Sequence, residues 1–218
     1  ATDAYELGNS NLQEERGRHF ELSSTWADKA SRFNASVFSS RYSNYIALID
    51  RTGANAEFND GGELIPVFDF TAVPAEFRGL ELAYETTYAL GPGKLKPGLQ
   101  YDYVQGKRTD GGGNLPRISP QRVVASAAYS QQGWTVTPEL ILVSDSKAGV
   151  GDTEVAGYEL VNLRIAKSFN WGTTGGEVFA NLQNLTDELA FSATTLNTIR
   201  GYTPLAGRSA LVGVKLAF

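Results

Sequence analysis

Four side chains stand at spacings that suit chemistry: His19 with Glu21, and Glu81 with Glu85. In an extended chain, residues an even number apart share a face, so each pair points one way. An imidazole flanked by carboxylates suits a transition metal or haem iron. His19 is the sole imidazole and the chain has no Cys, so a tight zinc site would need more ligands than these. The preferred reading of His19 is an ordinary polar wall residue, with His19, Glu21, Glu81 and Glu85 kept as metal candidates. Asp50, Glu57, Asp60 and Glu63 crowd the stretch 50–64, where a cation site competes with the preferred reading of a solvated loop. Gly111, Gly112 and Gly113 are not flanked by a strand-to-helix switch, so they are no phosphate loop. Nothing supports a Ser-His-Asp triad. We expect no catalytic residue and no cofactor.

These residues sit in alternating segments. At the C-terminal end, Ala210, Val212, Val214, Leu216 and Phe218 form one apolar row, against Ser209, Leu211, Gly213, Lys215 and Ala217. That is period 2, a strand with one apolar and one wetter face. The same pattern predicts strands near 17–27, 32–49, 65–89, 94–108, 120–130, 134–146, 157–170 and 175–187, which makes nine. Pro66 or Pro74 could interrupt the third, because proline cannot donate to a ladder. If it hides two strands the count is ten, and a small closed barrel becomes the alternative. No helix longer than a turn or two is expected.

Two regularities point to architecture. Connections at 28–31, 90–93, 131–133 and 171–174 are short, whereas 50–64, 109–119, 147–156 and 188–206 are long. Short turns on one rim and long loops on the other are the pattern of an outer-membrane barrel. Aromatics, including Trp26, Trp134 and Trp171, gather beside the short turns, as rings with one wet and one apolar end do at a membrane boundary. The wetter face carries Glu21, Glu81, Glu85, Arg122, Glu139, Arg164 and Asn181. Those charges are tolerable along a water-filled lumen and costly in a dry core. In the seventh segment Lys167 breaks the apolar row.

Composition narrows the alternatives. A net charge of -5 argues against nucleic acid as a partner. There is no apolar run long enough for a transmembrane helix, which leaves barrel strands open. The chain opens on Ala and holds no Met, so we expect a processed product or a piece of a longer protein. Nine strands point the same way. Bacterial barrels have even strand numbers, and an odd count puts the two ends on opposite rims.

Several motifs carry a resemblance. Glu6-Leu7-Gly8-Asn9-Ser10-Asn11-Leu12 with Glu15 resembles an E-x-G-N-P-N-L-x-x-E segment, Ser10 replacing the proline. Phe77-Arg78-Gly79-Leu80-Glu81 resembles an aromatic-x-G-x-E strand start. Leu115-Pro116-Arg117-Ile118-Ser119-Pro120 resembles an L-P-x-x-P junction with one extra residue. Asn181-Leu182-Gln183-Asn184-Leu185-Thr186-Asp187 resembles N-L-x-N-L-x-D, and Pro204, Gly207 and Arg208 precede a terminal strand that ends on Phe218. In this order they resemble the TonB-dependent outer-membrane receptors over nearly the whole chain, and the segments around Asn44-Tyr45-Ile46, Gly106-Lys107 and Asn114-Leu115-Pro116-Arg117 resemble, in general look, the zinc- or haem-uptake branch.

The resemblance implies an all-β fold: an antiparallel transmembrane β-barrel in which residues 1–218 are about nine C-terminal strands of a larger, 22-stranded plugged barrel. The plug, the TonB box and the other strands would lie outside this chain. It implies TonB-dependent, energy-coupled uptake of a scarce ligand (a metal ion, haem or metal chelate) by a receptor in the bacterial outer membrane. Implied partners are outer-membrane lipid, the N-terminal plug and barrel segment, TonB through that segment, and the barrel-assembly machinery, with Phe218 as its recognition signal. Other classes stay open: a small barrel or secreted β-protein with a structural or adhesive role, and a barrel enzyme, for which no nucleophile is in view.

Overall fold

A computed structural model describes residues 3–51, 55–149, 152–172 and 174–217. Phe218, and with it the expected assembly signal, lies outside the described residues. The strands are β1 (Tyr5–Leu7), β2 (Gly17–Ala27), β3 (Ser31–Asp50), β4 (Glu57–Asp60), β5 (Glu63–Thr86), β6 (Tyr88–Leu90), β7 (Gly93–Arg108), β8 (Arg122–Gln131), β9 (Trp134–Val143), β10 (Tyr158–Trp171), β11 (Thr174–Gln183) and β12 (Ser209–Ala217). One short helix, α1 (Asn197–Arg200), lies in the last long connection.

Among the described residues the sheet is an open antiparallel meander, in the order β12-β11-β10-β9-β8-β7-β5-β3-β2. The expected nine strands are therefore present, and β2 and β12 are its two edges. Direct neighbours across each ladder share a face, so Leu22, Val37 and Leu80 form one apolar row while Ser23, Ser36 and Glu81 form a polar one. The apolar side is open: Phe20 is 65% exposed and Val212 71%. A water-soluble protein would bury such a surface; a barrel wall gives it to lipid.

Two expectations are corrected. Pro66 and Pro74 do not interrupt the third strand, since β5 runs unbroken over both. Pro74 is tolerated because it stands at a bulge. The register shifts between Tyr42 and Tyr45, so the ladder bond that proline cannot supply is not required there. Instead, Ser43 N–H donates to Arg16 O at 3.1 Å, and Asn44 accepts from Arg16 N–H at 2.8 Å. The acidic stretch near 57–64 is likewise no plain loop. Glu57–Asp60 pairs with β5 as a hairpin, and Gly61 and Gly62 take the positive φ values, 63° and 107°, that its turn needs.

The short turns are closed locally. Asp28 accepts from the backbone N–H groups of Ala30 and Ser31 at 2.8 and 2.6 Å, and these bonds hold its carboxyl below the ordinary range. A depressed folded pKa means that this stabilisation is complete above the unfolded value, about 3.9, and lost as pH falls through the folded one. Titration of the Ser31 amide shift by NMR should show a midpoint below that of a free Asp, and Asp28→Ala should flatten it. A midpoint at or above the free value would contradict the turn geometry.

The dry core lies at the long-loop end of the wall. Ala47, Ile49, Val73, Ala75 and Leu115 are buried together, with Tyr42, Tyr45, Phe77 and Ile118 packed against them. It is built where β3 and β5 extend past the wall and the 109–121 connection folds onto them.

Candidate functional site

The polar face is stitched across the strands. Arg122 donates from Nε and Nη2 to one oxygen of Asp102 at 2.9 and 2.7 Å. Asn162 donates to Glu139 at 2.9 Å. Arg164 donates to Asn181 at 2.9 Å and to Glu177 at 2.5 Å. The polar side chains of one strand thus partner those of the next, which water along the lumen permits without the penalty of a dry core.

The long connections fold over this face. A cavity of about 390 Å³ has Glu81, Asp102, Arg122, Val143 and Tyr158 on the wall side, and Phe191, Ser192, Ala193 and Thr194 on the loop side. The loops are held by a buried ion pair. Arg200 Nη2 donates to Asp152 Oδ1 at 2.8 Å, both side chains being less than a tenth exposed. Arg200 also donates to Thr153 Oγ1 and Thr195 O, each at 2.9 Å. The other oxygen of Asp152 accepts from Arg117 N–H at 3.3 Å. One carboxylate therefore joins the 109–121, 144–157 and 188–206 connections. On the same rim, Arg108 donates to Asp110 at 3.0 and 2.7 Å and holds that carboxyl low.

The motif at 181–187 is also structural. Asn184 is 2% exposed and takes a positive φ of 49°. Its amide donates to Glu188 O and Ala206 O and accepts from Glu188 N–H. Asp187 accepts from Arg208 N–H at 2.8 Å. These bonds bring the start of β12 back beside the end of β11.

Of the candidate site residues, His19 and Glu21 meet on the lumen face. His19 Nδ1 lies 2.7 Å from Ser40 Oγ, and Nε2 lies 3.4 Å from Glu21 Oε2. Glu21 also accepts from Ser23 and Ser36 at 2.6 and 2.9 Å. Glu81 stands directly opposite Asp102 and lines the cavity. Glu85 pairs instead with Lys96 at 2.8 Å. No group of three or more His, Cys, Asp or Glu among the described residues is gathered so as to hold a metal ion. Asp152, Arg200 and the loop-side residues 191–194 carry no periodic signal in the sequence, and it was the tertiary fold that brought them forward.

An antiparallel wall with lipid outside, a polar lumen inside and loops roofing one rim defines a receptor-type outer-membrane barrel. A model of the family described as TonB dependent receptor-like, beta-barrel matches residues 1–185, and the chain belongs to that family, whose barrels lie in the outer membrane. It is 27% identical over 146 residues to the hemoglobin-haptoglobin utilization protein B of Neisseria meningitidis serogroup A, covering 58% of this chain and 18% of that protein. In fold it is similar to the copper transporter OprC, with a TM-score of 0.78 at 17% identity over 96% of this chain and 32% of that one. The FrpB iron transporter of Neisseria meningitidis gives 0.65 at 16% identity, over 96% and 32%. The ferric citrate transporter FecA gives 0.65 at 17%, over 93% and 31%. The chain thus spans about a third of these structures and less of the curated relative.

Proposed function

We propose that this chain forms the closing nine strands of a larger plugged barrel that takes up a scarce metal-bearing ligand with energy delivered through TonB. The observation that carries the reading is the cavity between the lumen wall and a roof of tied loops. That is a compartment open to selection from outside, and a bare pore has none. The relatives' names (copper, iron, ferric citrate, hemoglobin-haptoglobin) support a metal-bearing cargo. With one His, no Cys and no Met, this chain offers few donors to a bare soft ion, which favours haem or a chelate that brings its own ligands. His19, Glu21, Glu81 and Glu85 then line the path, polar and hydrated, and this chain contributes no covalent chemistry. The plug, TonB and the barrel-assembly machinery, the last reading Phe218, are the partners of this proposal.

A strain lacking the gene, grown with zinc, iron or haem limiting, tests it. A growth defect under one of them is expected, restored by the intact gene but not in cells without TonB. Parent-like growth under all three would overturn the uptake reading.

A further inference from the structure

One charged row stands on the face given to lipid. Register places Arg18 opposite Arg41, Arg41 opposite Glu76, and Glu76 opposite Lys107. Arg78 lies one pleat along β5 from Glu76. By the period of the strands all five share the side of Phe20, Leu22 and Leu80. Four cations therefore cluster about one carboxylate, in a chain whose net charge is -5. Glu76 is 5% exposed, and its Oε1 accepts from Arg41 Nε at 2.8 Å and Arg78 Nη2 at 2.9 Å. The two guanidinium side chains remain 71% and 56% open. Arg18 and Lys107 are exposed and have no ion-pair partner among the described residues.

Like charges set directly opposite destabilise a ladder, so Arg18 against Arg41 is an arrangement that an anion would relieve. Its height is informative. Arg18 is eight residues from Trp26 of the opposite rim, roughly 26 Å along the strand at ~3.3 Å per residue. At a tilt near ~40° that is about 20 Å of height, close to the top of an apolar band ~25 Å tall. Phe20 stands level with Arg78 and one pleat below Arg18, and under both come Leu22, Val37 and Leu80, the first two exposed and Leu80 half-buried.

We propose that Arg18, Arg41, Arg78 and Lys107 bind the phosphate groups of the phosphorylated glycolipid in the outer leaflet, its acyl chains lying on the apolar row beneath. Guanidinium forks pair with phosphate oxygens in two parallel bonds, and Glu76 holds two of those forks, Arg41 and Arg78. The apolar row is what separates a lipid site from a site for free phosphate.

The test uses the intact receptor, purified from outer membranes in mild detergent and examined by native mass spectrometry. Lipopolysaccharide and its enzymatically dephosphorylated form are the probes, with millimolar inorganic phosphate as competitor. The unaltered receptor should retain the phosphorylated glycolipid, and the dephosphorylated form should be retained roughly tenfold less. The double substitution Arg18→Gln and Lys107→Gln, which leaves the Glu76 ion pairs in place, should lower retention of the phosphorylated form by a similar factor while heat-modifiable migration on gels is kept. Equal retention of both glycolipids by the unaltered receptor would overturn the proposal, as would equal retention by a folded double variant. Displacement by inorganic phosphate would reduce the row to a plain anion site and overturn the glycolipid assignment.

Discussion

Replacing Asp152 with Ala should open the loop roof, at a cost of about 3–5 kcal/mol in local stability. The magnitude follows from burial. Both members of the Asp152–Arg200 pair are nearly inaccessible, so removing the carboxylate leaves a guanidinium in a dry place with its main counter-charge gone. The other oxygen of the same carboxylate also holds Arg117 N–H, so the 109–121 connection is released together with 188–206. Hydrogen exchange of the folded receptor reads this directly. Amides in 109–121 and 188–206 should exchange orders of magnitude faster, while those of β8 to β11 are unchanged. Arg200→Ala should do likewise, and the double variant should lose less than the two single losses added, since no unpaired charge is left behind. Wild-type exchange in the single variants would show that the pair does not hold the roof.

Leu115→Ala should cost about 2–5 kcal/mol, the range for a well-packed leucine whose cavity cannot collapse. Leu115 is 2% exposed and sits among Ala47, Ile49, Val73 and Ala75. Its backbone is held too, as its N–H donates to Gly106 O at 2.9 Å. The neighbouring backbone gives little room to close the gap, because a side chain at Gly149 would already meet Leu115 and Pro116 within 2.6 Å. Denaturation followed by exchange at 46–49 and 72–75 should show the loss there. The heat-modifiable migration of the barrel should survive, because the ladders from β7 to β12 do not depend on this core. A loss under about 1 kcal/mol would mean that the site repacks.

The wall was legible in the sequence because each strand gives one face to lipid and one to water, which writes period 2 into residues such as Phe20-Glu21-Leu22-Ser23. Turn chemistry at Gly91, Gly133 and Gly172 marked one rim, and each takes a positive φ there. The extracellular side was less legible. β1 pairs with β5 through three residues, too few to show a period. β4 is four residues with a single apolar side chain, Phe58, inside an acidic stretch, so its Asp60-Gly61-Gly62 turn signal stands without a flanking period. Asp152 and Arg200 are 48 residues apart on irregular chain, where no periodicity announces a partner. The charged row at Arg18, Arg41, Glu76 and Lys107 was invisible for another reason. Each residue is an ordinary charged strand position by itself, and only the register across four strands sets them side by side.

Sidedness is the claim on which the rest stands, and nitroxide labels test it most directly. This chain has no Cys of its own, so single Cys substitutions at Leu22, Val37 and Val214 on one face, and Ser23, Ser36 and Ser126 on the other, place one label each within it, with any Cys elsewhere in the receptor replaced first. In the receptor reconstituted in bilayers, the first set should be relaxed by oxygen and shielded from a water-soluble nickel chelate, and the second set should show the reverse. Equal accessibility of the two sets, or the opposite order, would contradict a lipid-facing apolar row and a wet lumen.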